Sequence, residues 1–205
     1  MTHSLVPMAD YLRVIGRGKD GARSLNRTQA QDLMTRLLAG QLSDLEKGGF
    51  ALAMRIKGES AEELLGFTAA VQDSLPALSA QITRLGAGAV VVLPSYNGAR
   101  KLPNLTPLLA LLLAQEGVPV LVHGITEDTH RTTSAQIFDA LGMPAAHTAA
   151  DVADRWAQRL PAFMPLRKLH PALADLLALR ATLGVRNSGH TLAKLLLPAP
   201  GALRV

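Results

Sequence analysis

The residue types best suited to ligand chemistry are concentrated in one segment, Pro94–Pro107, which reads PSYNGARKLPNLTP. The positions in it that could contact an anion are Asn97, Gly98, Arg100, Lys101, Asn104 and Thr106. The Asn-Gly pair favours a turn with positive φ, two cations follow it, and the last two residues precede a predicted helix. Backbone amides and the positive end of the helix dipole can hold a phosphate there. The segment therefore predicts an anion-binding crevice; alternatively, the asparagine or threonine only caps the helix and the cations are solvated.

A second candidate group is the pair His123 and Gly124, which ends a predicted strand. Ligand crevices in α/β sheets lie at the carboxyl ends of strands, so this position favours a functional role for the histidine. A structural, hydrogen-bonded histidine is the alternative. Asp151 and Asp154 have the spacing of a solvated helix face, and the chain has no cysteine, which excludes a thiolate zinc site. We therefore predict no metal site and no cofactor.

Helical patterns dominate the first third of the chain. Ser43 and Ser60 each begin an S-x-x-E capping box, in which the serine oxygen accepts from a free amide and the glutamate reaches back to the cap. Apolar residues at helical spacing follow both boxes. A further helix is predicted over Thr28–Ala39, after a predicted loop at Gly16–Arg23. This part therefore predicts a small domain of packed helices.

The pattern changes after residue 80. Ala89–Leu93 and Gly117–His123 are apolar, largely β-branched runs without a polar face, which is typical of parallel strands covered on both sides. Further helices are predicted over Thr106–Glu116, Thr133–Leu141, Ala149–Leu160, Pro171–Leu183 and Gly189–Leu197. The fold class is therefore α/β: an all-helical N-terminal domain over residues 1–80, and a partial α/β domain over residues 81–205 with a mainly parallel sheet.

Two clear strands do not make an independently stable sheet, because parallel strands need neighbours and cover. The sequence stops at Ala202–Val205, an apolar extended stretch. We therefore expect a C-terminally truncated sequence, with further strands and any acidic metal motif beyond Val205. The alternative is a complete small sheet with an additional strand around Ala162–Met164.

Composition limits the class of protein. The chain has 205 residues, of which 48% are hydrophobic and 18% charged, so it is expected to fold. Its longest apolar run, Leu108–Ala114, is far shorter than the ~20 residues that span a bilayer. The start lacks the layout of a secretory signal, and we expect a soluble cytoplasmic protein. The net charge is +5, and residues 166–205 contain six basic side chains and one acidic side chain, which favours an anionic partner.

The order of these motifs resembles anthranilate phosphoribosyltransferase and its relatives in glycosyltransferase family 3. Leu42–Glu59 resembles part of that family's N-terminal helical domain. The strand Ala89–Leu93 and its loop stand where the family has a glycine-rich diphosphate loop and an Asn-x-Ser-Thr motif. Pro119–Gly124 is similar to the family's Lys-His-Gly-Asn-Arg motif, and Leu183–Arg186 to a segment whose arginine contacts anthranilate in the enzymes.

The departures from the family lie in the substrate motifs. Where the enzymes have Gly-Thr-Gly-Gly-Asp, this chain has Pro94–Gly98. Proline removes an amide donor, and tyrosine adds bulk where the backbone must approach phosphate closely. Val122 replaces the lysine of the histidine motif, and Ile125 and Thr126 replace its asparagine and arginine. Phosphoribosyl transfer by the usual mechanism is therefore not expected.

One branch of the family resembles this chain more closely, namely the anthranilate phosphoribosyltransferase-like proteins that bind nucleic acid. The resemblance implies a homodimer, formed through helices within Asp10–Ala70, that binds DNA or RNA with little sequence preference and has no transferase activity. The candidate phosphate-contacting residues are Arg100, Lys101, Arg131, Arg167, Lys168, Arg186 and Lys194, with His190 as a further donor. Leucines that could serve either the core or the dimer interface are Leu25, Leu33, Leu37, Leu42 and Leu45.

The remaining residues at the crevice have weaker predictions. Tyr96 is a candidate for base stacking, although a packing role is expected. The main alternative function is a phosphoribosyltransferase that uses phosphoribosyl diphosphate and an aromatic or nucleobase acceptor. Its site residues would be His123, Asn104, Thr106 and Arg186. A third possibility is a degenerate paralogue that only holds a partner through its helical domain.

Overall fold

The structure is a computed structural model, and it describes residues 6–85, 90–96, 102–199 and 201–205. Four of the crevice positions predicted above, Asn97, Gly98, Arg100 and Lys101, lie outside the described residues. The chain divides into two compact units. The first contains the described residues of Met1–Ser74 together with Ala172–Leu192, and the second contains those of Leu75–Pro171 and Ala193–Val205.

The described residues form helices and short strands. The helices are α1 Met8–Ile15, α2 Gly18–Gly21, α3 Arg27–Leu38, α4 Asp44–Lys57, α5 Ala61–Asp73, α6 Ala77–Leu85, α7 Thr106–Gln115, α8 Ser134–Ala140, α9 Ala149–Ala157, α10 Leu166–Leu169, α11 Pro171–Leu183 and α12 Gly189–Leu195. The strands are β1 Val91–Ser95, β2 Val120–Gly124, β3 Ala162–Pro165 and β4 Leu203–Arg204. Within the described ranges, no helix is both long enough and apolar enough to cross a bilayer.

Capping boxes begin several of these helices. The two predicted boxes are confirmed, because Ser43 caps α4 with Glu46 and Ser60 caps α5 with Glu63. Further boxes begin α3, α8 and α9, at Asn26, Thr133 and Thr148 respectively. Each box satisfies amides that the first helical turn leaves without an intrahelical partner, so the sequence fixes where these helices begin.

The core of the first unit depends on the close contact of α3 with α5. A Cβ atom on Gly66 would lie 2.4 Å from the carbonyl oxygen of Arg27, so only glycine allows this approach. The rings of Phe50 and Phe67 meet edge to face nearby, with centroids 5.7 Å apart. Glu63 is fully buried and accepts from the backbone amide of Leu25 at 2.9 Å. These contacts tie the loop before α3 to α5.

Glu63 also forms an ion pair with Lys57 at 2.6 Å, and both side chains have little exposure. Lys57 donates in addition to the carbonyl of Gly58, at 2.8 Å. Because both charges are shielded from water, removing one partner would leave the other buried and uncompensated. The pair therefore fixes the end of α4 against the start of α5.

The second unit contains a parallel sheet with the strand order β3-β2-β1-β4. The neighbours pair in register, for example Val91 with Val120, and Leu121 with Ala162. One face packs against α6 and α9 through Val92, and the other against α7 and α8 through Val91. The continuous apolar runs of β1 and β2 are explained by this burial on both faces. The predicted class, a helical N-terminal domain with a parallel α/β region, is confirmed.

Several local predictions are corrected by the structure. The additional strand around Ala162–Met164, given above as the alternative, is present as β3. The predicted loop Gly16–Arg23 contains the short helix α2. The structure distinguishes the leucines that the sequence could assign either to the core or to a dimer interface. Leu45 is exposed, with 86% of its surface accessible. The buried ones are Leu25, Leu33, Leu37 and Leu42.

Candidate functional site

The candidate site lies where β1 and β2 end. These strands are neighbours and run parallel, so Ser95 at the end of β1 pairs with Gly124 at the end of β2. A Cβ atom on Gly124 would lie 2.1 Å from the carbonyl oxygen of Ser95. The glycine is therefore required by the close approach of the two strand ends. The sequence prediction that both motifs share one sheet edge is consistent with this register.

Tyr96 and His123 form a buried pair at this edge. The tyrosine hydroxyl lies 2.6 Å from Nδ1 of the imidazole, and the two rings meet nearly edge to face. Burial lowers the pKa of His123 to about 3, which keeps the imidazole neutral at physiological pH. Burial likewise raises the pKa of Tyr96 well above its usual value of 10. With neutral partners, the tyrosine O–H donates and Nδ1 accepts.

The second imidazole nitrogen of His123, Nε2, has no hydrogen-bond partner among the described residues. Nε2 is buried and makes no hydrogen bond to any part of the chain that the structure describes. A buried donor without a partner costs free energy, so this nitrogen is a defect of the local packing or a contact point for another group. His123 therefore acts as an acceptor toward Tyr96 through Nδ1, while its Nε2 has no partner among the described residues.

A chain of side-chain hydrogen bonds closes the crevice next to this pair. The hydroxyls of Ser95 and Ser134 are 2.7 Å apart, and the amide nitrogen of Asn104 donates to Ser134 Oγ at 3.0 Å. The other side of the Asn104 amide, Oδ1, accepts from the backbone amide of Thr106 at 3.3 Å. Asn104 therefore joins the start of α7 to the start of α8. The N-cap residue of α7 is Leu105, which makes no side-chain capping bond, so Asn104 contacts the first helical residue from just outside the cap.

One small cavity lies beside this network. It measures about 10 Å³ and is lined by Ser95, Tyr96, Ile125, Asp128, Arg131 and Thr133. This is roughly the space that one water molecule needs. Tyr96 is buried, so its ring lies within the edge at which an α/β sheet usually receives its ligand. Among the residues that line this cavity, Arg131 is the one cation.

The predicted cations lie in several places. Arg131 is half-buried at the crevice, whereas Arg167 and Lys168 are adjacent and exposed on α10. Lys194 is exposed on α12, also in the second unit, and the half-buried Arg186 belongs to the first unit. Only Arg131 is therefore placed at the crevice by the described residues. A role in binding phosphate stays a prediction for all of these side chains.

Two residues of the site were not among the predicted ones. Ser134 joins the two hydroxyl contacts, and Thr133 caps α8 while donating to the carbonyl of Thr126 at 2.8 Å. The T-x-x-Q spacing of Thr133 and Gln136 is a capping-box signature that the sequence already contained. No three His, Asp or Glu side chains in the described ranges lie close enough together to hold a metal ion.

Comparison with known proteins agrees with this architecture. Residues 9–75 match the protein-family model described as "Glycosyl transferase family, helical bundle domain". The solved anthranilate phosphoribosyltransferase of Thermus thermophilus superposes with a TM-score of 0.70 over 89% of this chain and 54% of its own, at 24% identity. The chain has an anthranilate phosphoribosyltransferase-like fold.

A second solved structure has the same fold. It is the anthranilate phosphoribosyltransferase of Saccharomyces cerevisiae in complex with PRPP and Mg. The TM-score is 0.69, with 16% identity, over 98% of this chain and 58% of that one. The agreement in fold therefore extends over nearly all of the chain.

Curated relatives include both a protein without assigned function and enzymes. A protein of Escherichia coli (strain K12) named "Uncharacterized protein YbiB" is 44% identical over 92% of this chain and 59% of its own length. The anthranilate phosphoribosyltransferase of Methanopyrus kandleri is 34% identical over 92% of this chain and 53% of its own length. The anthranilate phosphoribosyltransferase-like chain thus spans between half and three fifths of these relatives.

Proposed function

We propose that the protein is a non-catalytic, cytoplasmic homodimer that binds DNA or RNA with little sequence preference, on a degenerate phosphoribosyltransferase scaffold. The observation that carries this proposal is the buried Tyr96 at the end of β1. A sugar diphosphate needs a cradle of backbone amides there, but the ring of Tyr96 is 8% exposed and is held against His123 by a 2.6 Å hydrogen bond. A buried tyrosine in this position favours a binding role over turnover.

The distribution of charge supports a polyanionic partner. Ion pairs in the first unit join Arg13 to Asp10, Arg36 to Asp32, Lys47 to Asp44 and Lys57 to Glu63. Arg131, Lys168 and Lys194 of the second unit take part in none of them. Since the chain has a net charge of +5, these cations are available to neutralise phosphates.

Salt dependence of nucleic-acid binding tests this part of the proposal. Affinity for a fluorescent single-stranded oligonucleotide should fall steeply with salt, because binding releases condensed counterions. Replacing both Lys168 and Lys194 with alanine should weaken binding and lower the slope of log affinity against log salt by about 0.7 for each phosphate that is no longer neutralised. The matched control replaces Arg13 and Lys47, which already pair with carboxylates, and should leave the slope unchanged. A flat salt response of the unmodified protein would contradict the proposal.

The dimer is supported by an exposed apolar face on α4. Leu45, Leu52 and Ile56 recur at helical spacing and are 86%, 43% and 59% exposed. Gly49, which is exposed on the same face, presents no side chain and permits close approach of another helix. An apolar stripe of this kind on a surface helix is typical of an interaction surface. We assign it to the homodimer that the sequence resemblance implies.

Light scattering after size exclusion tests the dimer directly. The change Leu45→Glu should convert a dimer into a monomer, because it places a charge in the proposed apolar contact. The control Leu112→Glu modifies another exposed leucine, which is 53% exposed on α7, and should leave the dimer intact. A monomeric unmodified protein, or dissociation only with the control, would contradict the assignment to α4.

The relatives also favour one alternative function. Several of them are anthranilate phosphoribosyltransferases, so a transferase that uses phosphoribosyl diphosphate and an aromatic acceptor is the second candidate. Its residues would be His123, Asn104, Thr106 and Arg186. Calorimetry with phosphoribosyl diphosphate and Mg²⁺ distinguishes the two. We expect no saturable heat, whereas saturable binding with product formation would establish the alternative.

A further inference from the structure

A larger cavity of the second unit lies at the opposite edge of the sheet from the crevice. It measures about 260 Å³ and opens to solvent between the end of α7 and the end of α9. Its principal lining residues are Ala114, Val118, Pro119, Trp156, Arg159 and Leu160. We call it the Trp156 cavity. Nothing in the proposed nucleic-acid binding uses it.

The position of the tryptophan is fixed by a hydrogen bond. The indole nitrogen of Trp156 donates to the carbonyl of Val120 at 2.9 Å, which attaches the end of α9 to the start of β2. The indole is half-buried, so part of the ring contributes to the cavity wall. Apart from Arg159, the principal lining side chains are apolar. Walls of this composition, with one charged group at the mouth, are typical of small-ligand sites.

Arg159 occupies an unusual backbone conformation. Its φ is +54°, and within the described ranges it is the one residue other than glycine with a positive φ. It follows α9, where the amide of Arg159 donates to the carbonyl of Trp156, and that of Leu160 to the carbonyl of Arg155. This is the helix-ending motif in which glycine is the favoured residue. Glycine occupies the corresponding position after α7, Gly117, with a φ of +82°.

The two helix ends of the cavity therefore form the same backbone motif with different residues. At Gly117 the chain uses the residue that the conformation favours, while at Arg159 it carries a long cationic side chain against that preference. Arginine has no conformational advantage over glycine at this position, so we attribute its presence to a role of the side chain. Arg159 is exposed and lines the cavity, so its guanidinium is available to an anionic group at the mouth.

We propose that the Trp156 cavity binds a small ligand consisting of an apolar ring with a single anionic group, the ring lying against Trp156 and the apolar walls and the anion against Arg159. A planar carboxylate suits the guanidinium because the two form paired hydrogen bonds. The volume is sufficient for one ring and a short substituent, and too small for a larger cofactor.

The chain supplies its own probe for this site, because Trp156 is its one tryptophan. In a ¹H–¹⁵N NMR spectrum it gives a single indole cross-peak. Benzoate, titrated at constant ionic strength, should move this peak saturably, with a Kd on the order of 1 mM. Benzamide has the same shape without the charge, and it should bind about tenfold more weakly.

Two variants separate a binding role of Arg159 from a structural one. Arg159→Gly should reduce the affinity for benzoate to that for benzamide, while the free energy of unfolding rises. Arg159→Lys should retain part of the preference for benzoate, because it keeps the charge but loses the planar fork. Equal affinities for benzoate and benzamide, the absence of a saturable shift, or unchanged benzoate binding in Arg159→Gly would each overturn the proposal. None of these measurements depends on nucleic-acid binding.

Discussion

The buried pair of Tyr96 and His123 makes the stability of the second unit sensitive to acid. The imidazole has a pKa of about 3 when folded, against 6.5 for an unperturbed histidine. Since the folded pKa is the lower one, the unfolded chain takes up the proton first. The contribution is complete above about pH 6.5 and is lost as the pH falls toward 3. Between about pH 7 and pH 5, this one group should lower the free energy of unfolding by about 2 kcal/mol.

The variant His123→Asn isolates this effect. Its side-chain oxygen occupies roughly the position of Nδ1, so Tyr96 keeps an acceptor, while the titrating group is removed. Urea unfolding at several pH values, followed by the fluorescence of Trp156 in the same unit, gives the free energy for both proteins. The unmodified protein should lose about 2 kcal/mol more than the variant over this range. Equal losses in both would refute the assignment of a buried, neutral imidazole.

Four further substitutions, one of them a control, test the packing within the two units. Gly66→Ala should lower the free energy of unfolding by about 1–3 kcal/mol, because its Cβ would meet the backbone of α3, whereas Gly48→Ala, a helical position with open space, should raise it by up to about 1 kcal/mol. Destabilisation of equal size at both positions would contradict the close contact. Arg159→Gly should raise the melting temperature, corresponding to about 1 kcal/mol, since glycine adopts positive φ without strain. Ser134→Ala should cost about 1–3 kcal/mol in urea unfolding, because Ser95 and Asn104 would each be deprived of a hydrogen-bond partner. A neutral effect would show that the hydroxyl network does not hold the crevice closed.

The helix starts and the two principal strands were predictable because local signals specify them. A capping box at Ser43 or Ser60 acts over four residues, and β1 and β2 are continuous apolar runs. By contrast, β3 is four residues long and ends in Pro165, and β4 has two residues. Such segments become strands only because a neighbour supplies the hydrogen bonds, and the sequence does not display that neighbour.

The site was predictable in place but not in detail. The carboxyl ends of β1 and β2 indicated the correct edge, including His123 and Gly124. The contact of Tyr96 with His123 joins residues 27 positions apart and depends on the register of the two strands. Helical periodicity likewise revealed the stripe on α4 but not its direction, because Leu45 has the same spacing whether it faces the core or solvent.

The tyrosine at the end of β1 also constrains how an open pocket could arise at this edge of the sheet. Changing Tyr96 to glycine would remove a ring that is 8% exposed, and it would leave both imidazole nitrogens of His123 without partners among the described residues. The void and the added unpaired nitrogen together would cost several kcal/mol, on the order of the whole stability of a small domain. Opening this position by single substitutions would therefore pass through a poorly folded intermediate, and directed evolution toward sugar-phosphate chemistry should change Tyr96 and His123 together.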